Sequence, residues 1–390
     1  MQAENIKSSL VFARNPIIVR GTWPEGAFDP RGGSYVVTAG GHKVYEGRFS
    51  PSPGVNLSEI AETVAGRYPD VRPGKTPLVS FAADEMQSRS VTVDFRYDEV
   101  EQYWTATVVP GGVSRRQFRR WAEAGTDAFE ARFLNPTCNF FLTSRTSGRT
   151  LTVRETELYP LYFLIVKGTM RVTSPAAPGA FLEYDLEYDL DGNYAGFHAL
   201  DVAALRRQFA LRHGALASVF DISVGGLRSC RVVIEHADTA RDRHLLKFRN
   251  SLGVPELFEA TGTLKEGYTA DETEYPDRYD TVADSYDREP PRRRMRRVWK
   301  LDTGPRRPED LRFMLDMLAS DEVWLTGADG GDVRVIPDIG DLSLAARQDA
   351  PESVTLTLEE CGDETEYYPG QETSGRRRRI FSQVFDNHFN

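Results

Sequence analysis

Lysine is scarce in this chain: only seven of the 48 basic residues are lysine, at positions 7, 43, 75, 167, 247, 265 and 300, and the other 41 are arginine. The planar guanidinium suits partly desolvated ion pairs at protein–protein contacts; a GC-rich genome gives the same bias without a functional cause. Cysteine is scarcer still. Cys138, Cys230 and Cys361 are far apart and odd in number, which argues against a disulfide framework and any Cys-x-x-Cys metal knuckle. They read as reduced and structural. Long apolar runs are missing too, so no stretch approaches a membrane-spanning helix. Lys7 and Arg14 interrupt the apolar residues near the start of the chain, so no secretion signal is expected there. Synthesis and folding are expected in the cytoplasm.

The signatures of common cofactors and nucleophiles are also lacking. There is no GxGxxG after a strand, no GxxxxGK[ST] and no GxSxG. The six histidines, His42, His198, His213, His236, His244 and His388, stand in no HxH, HExxH or HxxE context. His236 and His244 flank a segment that reads as a loop between strands rather than a metal site. Asp185, Asp189, Asp191 and Asn193 superficially follow a calcium loop, but Gly192 falls early and the distal Glu is wanting. An Asp-Gly hairpin turn explains the same letters. Glu155 and Glu157, two apart on a strand, are a pair that a glycosidase could use, although exposed strand faces carry charge without catalysis. No catalytic, cofactor-binding or metal-ligating residue is assigned, no cofactor is expected, and the chain reads as non-enzymatic.

What is present is β-forming sequence. With 390 residues, 40% of them hydrophobic and 11% aromatic, the chain can build two or three ordinary cores. Its centre is Arg149–Thr173. Thr150–Glu155 alternates as a half-buried strand does, and Leu161–Val166 is apolar throughout, as expected of a strand covered on both faces. Pro160 between them predicts a corner where one β domain hands over to the next.

Upstream, Ser9–Arg20 reads as strand, Asn-Pro turn, strand. Ser34–Ala39 and Lys43–Phe49 flank a Gly40-Gly41 hairpin turn. Val55–Val64 is a short helix capped by Asn56 or Ser58, and Leu78–Ala82, Ser90–Tyr97 and Tyr103–Val109 are strands. Gly111–Phe133 breaks the pattern with one or two short helices rich in arginine, capped at Ser114. Downstream, Phe181–Tyr188 and Tyr194–Phe197 read as strands around Asp191-Gly192. His198–Phe209 is a helix capped by Asp201, and Ser218–Val224 and Cys230–Glu235 are strands. Leu57, Ile60 and Val64 map onto Val202, Leu205 and Phe209 at an offset of 145, and Val91–Asp94 onto Arg231–Ile234 at 140. Two readings stay open: a tandem duplication, or the generic likeness of β proteins with short helices.

His244–Gly262 is strand, Asn-Ser-Leu-Gly turn, strand. Lys265–Pro291 is acidic, carries Tyr268, Tyr275, Tyr279 and Tyr286, and lacks an apolar period, which predicts an extended arm or long loop. The basic run Arg292–Arg297 adjoins it, and its field is expected to be met by the acidic segment Asp271–Asp287. Arg307–Ser320 is a helix opened by Pro308, and Ser353–Glu359 a final strand. A second basic run, Arg376–Arg379, precedes Phe381, Phe385 and Phe389, which are expected to dock on this chain or a neighbour.

The predicted fold is mainly β: tandem β-sandwich-like domains with a few short helices and a C-terminal β/α region. The divisions are a first β domain at 1–110, a helical connector at 111–148 and a second β domain at 149–262. The Tyr-rich arm occupies 263–297, an α+β region 298–374, and a basic-aromatic tail 375–390. A net charge of −10 disfavours nucleic acid as a partner, and no membrane is expected.

Three stretches carry a resemblance. GGVSRRQFRRWAEAGTDAFEARFLNPTCNFFLTSRT with RETELYPLYFL, then KFRNSLGVPELFEATG, then RIFSQVFDNHFN resemble segments of tail- and baseplate-region proteins from Bacteroidetes phages and prophages. The resemblance implies a virion structural component of β-sandwich domains, assembled in the host cytoplasm, oligomeric, and in contact with other tail or baseplate proteins. It carries over no catalytic residues. The competing expectation is a β-sandwich that binds a host glycan or receptor, with Trp23, Trp104 and exposed tyrosines as stacking platforms.

Overall fold

Gly40 and Gly41 show how local chemistry closes the strands. Both have positive φ, 57° and 79°, the left-handed pair that a two-residue hairpin needs to match strand twist. They join Gly33–Ala39 to His42–Phe49. The computed structural model describes residues 2–4, 10–20, 33–49, 54–74, 76–81, 89–97, 100–123, 139–146, 148–165, 168–186, 196–224, 228–236, 240, 242–270, 277–288, 295–327, 331–340 and 353–362. The chain is mainly β, as its alternation predicts.

Two compact units form. The first holds residues 1–237 and 249–256, the second 238–248 and 257–390. The first unit begins with β1 (Gln2–Glu4), β2 (Leu10–Phe12), β3 (Ile18–Arg20), β4 (Gly33–Ala39), β5 (His42–Phe49), β6 (Gly54–Asn56), α1 (Ser58–Val64), β7 (Leu78–Phe81), β8 (Arg89–Tyr97) and β9 (Val100–Val109). The helix α2 (Arg115–Glu123) follows. Next come β10 (Thr150–Arg154), β11 (Leu161–Ile165), β12 (Gly168–Thr173), β13 (Phe181–Leu186), β14 (Gly196–Leu200), α3 (Val202–His213), β15 (Val219–Val224) and β16 (Arg228–Glu235).

The same topology occurs twice. One five-stranded sheet runs β2-β9-β8-β4-β5 and the other β10-β16-β15-β12-β13. In each, the first strand lies parallel to the last while every other pairing is antiparallel. Each repeat also sets aside a second strand and a strand before the helix, and pairs them together: β3 with β6, and β11 with β14. In both the helix follows that paired strand, although in the first repeat β7, which pairs with β14, intervenes before β8; of the two readings the shared strand order favours tandem duplication. One of the two sequence anchors is corrected. The helix match holds, but Val91–Asp94 lies in β8 and Arg231–Ile234 in β16, whereas the counterpart of β8 is β15. Alternating apolar strands look alike, and the match slipped by one strand.

Each repeat has its own core. In the first, Val37, Val91, Val93, Phe95, Ala61 and Val64 lie among the residues packed between sheet, strand pair and α1. In the second, Phe163, Met170, Leu205, Phe209, Phe220 and Val232 do the same around α3. A third core joins them: Phe12, Tyr68, Val109, Leu142, Tyr162, Leu164, Phe197, Leu252 and Val254. β11 therefore gives Leu161 and Phe163 to one core and Tyr162 and Leu164 to another. That accounts for its unbroken apolar run, each such side chain contributing about 1.5–3 kcal/mol when buried. Because the third core is shared, the expected boundaries at 110 and 148 fall inside one compact unit.

Other expectations shift. The helix expected from His198 begins at Val202; His198 belongs to β14, which pairs with β11 and β7. The strand before Asp191-Gly192 pairs with β12 and not with β14, so the expected hairpin is replaced by two strands in different sheets; residues 187–195 lie outside the described set. Glu155–Glu157 is a single 3-10 turn rather than strand, because Pro160 and the corner interrupt pairing.

The second unit contains β17 (His244–Arg249) and β18 (Pro255–Ala260), except Arg249, Pro255 and Glu256, which fall in the first, and then β19 (Leu264–Ala270), β20 (Asp277–Asp280), β21 (Ser285–Arg288), β22 (Met295–Asp302), α4 (Pro308–Leu318), β23 (Val323–Thr326), β24 (Asp332–Asp338) and β25 (Thr355–Glu360). Seven strands form one sheet in the order β18-β17-β23-β24-β25-β22-β19. Leu311, Phe313, Met314 and Met317 pack α4 against Phe248, Phe258, Leu301 and Leu358 of the sheet. Pro308 opens the helix and Glu309 and Asp310 lie in its first turn, where acid complements the helix dipole.

Candidate functional site

The acids weighed for catalysis are held in ion pairs. Glu157 is buried and accepts a hydrogen bond from Arg145 Nη1 at 2.7 Å. Glu155 accepts one from Arg206 and lies 3.6 Å from His236 Nδ1. Burial alone would raise the Glu155 carboxyl, but Arg206 and His236 outweigh it and hold the group below its ordinary value. A glycosidase acid needs the opposite shift.

Glu157 belongs to a larger buried network. Arg145 also approaches Glu256, Nε to Oε1 3.7 Å. Glu256 accepts from Thr143 Oγ1 at 2.6 Å and from Asn250 Nδ2 at 2.7 Å. Asn250 donates as well to the Leu142 carbonyl at 3.0 Å, and its Oδ1 accepts from the Leu252 and Val254 amides. One arginine thus neutralises two desolvated carboxylates, and the amide of Asn250 fixes the turn after β17. The turn packs tightly: Gly111 has φ +90°, and a Cβ there would lie 2.2 Å from the Leu252 carbonyl carbon. These contacts give the Asn-Ser-Leu-Gly stretch a structural role. Thr143, Arg145 and Glu256 lie 113 residues apart at their extremes, and nothing local in the sequence announces them.

The histidines scatter. His42 is exposed on β5, His213 lies at the end of α3, and His388 lies outside the described residues. His198 is buried beside Phe163, its Nδ1 2.9 Å from Ser80 Oγ, and burial pushes it down to about 4. Burial also lowers His244, against the opposing charge of Asp242. Among the described residues no three His, Cys, Asp or Glu side chains come together as a metal site would require. No described helix is long and apolar enough to cross a membrane. Trp104 is partly buried against the first core, and Trp23 lies outside the described residues.

In the region expected to be an extended arm or long loop the described residues are mostly strand: β19 pairs antiparallel with β22, and β20 with β21 in a hairpin of their own, while residues 271–276 and 289–294 lie outside the described set. In β19 every residue after Leu264 is exposed, and β20 and β21 are uncovered on both faces, whereas β22 buries Trp299 and Leu301 in the core of the second unit. Without a buried face no apolar alternation is required, so the sequence signal for a strand was silent. At the tip Tyr279 and Tyr286 face each other across the strands with ring centroids 5.1 Å apart. They are 46% and 72% exposed, and Val282 in the turn is 94% exposed. Asp277 stands opposite Arg288 and Arg278 opposite Asp287, which leaves Asp280 and Asp284 as surplus negative charge. Asp284 accepts a hydrogen bond from the Tyr279 hydroxyl, and that bond raises the phenol above its ordinary value.

The basic run beside the arm is partly absorbed within the sheet. Arg296 donates to Glu359 at 2.6 Å, and Arg297 lies near Glu266 and Glu360. Acidic partners of its described part thus lie on neighbouring strands; residues 271–276 and Arg292–Arg294, on which the expected pairing with Asp271–Asp287 also depends, lie outside the described residues. The run at 376–379 and the three terminal phenylalanines lie outside the described residues. On α2, by contrast, Arg115, Arg116, Arg119 and Arg120 are all exposed.

No family model matches the chain, and no curated protein matches it. Among solved structures, a chimeric titin Z1Z2-Z1Z2 tandem functionalized with a GRGDS exogenous peptide from fibronectin is 9% identical, covering 59% of this chain and 95% of that one at a TM-score of 0.13. That likeness is too slight to carry an argument about fold or function.

Proposed function

We propose that the protein is a non-enzymatic structural component of a phage or prophage tail or baseplate, acting through protein–protein contacts with its own copies and with other tail proteins. Placement in a virion, after assembly in the host cytoplasm, rests on the resemblance of the three sequence stretches. The contact role is supported by one observation above the rest: an uncovered β-hairpin that ends in two tyrosines and a valine. Exposed aromatic and aliphatic groups on an uncovered hairpin are favourable when a partner buries them. Glycan or receptor binding stands second, because Trp104, one of its expected platforms, packs against the first core.

Light scattering on the purified full chain, across concentration and at two salt levels, tests the reading. A discrete multiple of the 43.9 kDa chain mass, loosening as salt rises, is the expected result. A monomer under every condition would remove self-assembly and shift weight to the glycan reading.

A further inference from the structure

We propose that the acidic, tyrosine-tipped arm of one copy docks on the arginine face of α2 in a second copy, so that the chains assemble head to tail. The inference rests on the structural role proposed above and names its contact surfaces.

The arginine face motivates it first. Arg115, Arg116, Arg119 and Arg120 form two i,i+4 pairs of like charge on one side of a nine-residue helix. Such pairs repel each other. Arg115 and Arg116 also place positive charge in the first turn, where the helix dipole favours acid, and that turn holds none. Among the described residues no acidic side chain lies within ion-pair distance of any of the four. Local stability therefore does not explain the arrangement; a negatively charged partner does.

The arm tip has the complementary chemistry. Asp280 and Asp284 supply net negative charge, and Tyr279 and Tyr286 offer ring faces over which guanidinium groups stack. Val282 supplies an apolar contact for a partner to cover. A hairpin tip against a short helix buries little surface, below what a stable pairwise complex needs. Each contact is weak alone. A head-to-tail contact uses two different surfaces, so it propagates and closes into a ring where the rotation permits, and closure multiplies weak contacts.

Two double variants of the full chain test this: Val282→Ser with Tyr286→Ser on the arm, and Arg116→Glu with Arg120→Glu on α2. All four positions are exposed, and unchanged melting temperatures verify folding. Wild type is expected as an oligomer and each variant as a monomer of 43.9 kDa. In an equimolar mixture of the two variants only one intact arm and one intact helix face remain to meet, so a weak species of twice that mass and no larger is expected to appear as the concentration is raised and to dissolve again on dilution. An oligomer that both variants leave unchanged overturns the inference while the structural role stands. A monomeric wild type overturns both. Variants that are each monomeric but, mixed, show no concentration-dependent rise in mass above that of either alone overturn the head-to-tail geometry. A wild-type oligomer that nuclease dissolves assigns α2 to nucleic acid instead.

Discussion

The two repeats of the first unit share a strand order and differ in how they secure it. At the corner after the first strand, the first repeat uses a neutral amide. Buried Asn15 donates to the Val113 carbonyl at 2.9 Å and accepts from the Val113 amide at 3.0 Å. The second repeat places buried Glu157 there and balances it with Arg145. The helices differ as well. α1 has seven residues and no side-chain bond from its cap, Leu57, whereas α3 has twelve, an Asp201 cap and a left-handed Gly214 at its end. One topology tolerates a neutral corner or a charged one, but the charged one is far more sensitive to loss of a partner.

The largest expected effect follows from that asymmetry. Arg145→Ala would leave Glu157 and Glu256 desolvated without their common cation. Removing one partner of a buried ion pair destabilises by ~3–5 kcal/mol, readable in urea unfolding. A loss below ~1 kcal/mol would mean that water or backbone groups compensate, and the contrast between the corners would collapse. Asn15→Ala strands one backbone donor and one acceptor, for which ~1–2 kcal/mol is expected.

Between these in size lies a pH effect centred on the second repeat. His198 is held at about 4 against an ordinary 6.5. Between those values the unfolded chain binds the proton and the folded chain does not, so stability is full above pH 6.5 and falls as pH drops toward 4. By pH 5 the loss from this residue is roughly 2 kcal/mol. His244, lowered in the same direction, adds to the wild-type slope. Unfolding of wild type and His198→Phe at pH 7.5 and 5 isolates the His198 part: the variant should lose less between the two. An equal loss in both proteins would show that His198 titrates normally.

Much of this architecture was legible in the sequence, for physical reasons. Strands with one buried face betray themselves by alternation, as Val91, Val93 and Phe95 do. The continuous run of β11 marks a strand buried twice. Gly40-Gly41 and Pro308 fix their neighbourhoods by backbone restriction alone. Illegible were features set by distance or by exposure. Thr143 and Glu256 meet only after folding, β20 and β21 have no buried face to impose a period, and the sharing of Tyr162 and Leu252 by one core hid the merger of two expected domains. Of the candidate site, the arginine-rich helix and the tyrosine-rich arm could be named in advance, but the hairpin geometry of the arm could not.

The smallest effect tests whether equivalent positions in the repeats have equivalent roles. Asp201 accepts from the Ala204 amide at 3.0 Å and from the Gly74 amide at 2.6 Å, and it is buried. Asn56, its counterpart in the sequence alignment of the repeats, accepts from the Ser58 amide at 3.1 Å but is exposed and stands one residue ahead of the α1 cap. Asp201→Ala should therefore cost about 1–2 kcal/mol, as loss of a good N-cap does. Asn56→Ala should stay within about 0.5 kcal/mol, as exposed substitutions do, because water replaces the lost acceptor. Paired urea titrations of the two variants measure the difference directly. Equal losses would mean that α1 depends on Asn56 as α3 depends on Asp201, and that duplication preserved the cap along with the strand order. Unequal losses would mean that the fold keeps strand pairing and core packing while the helix ends drift, since a helix pressed between a sheet and a strand pair takes most of its stability from the buried face.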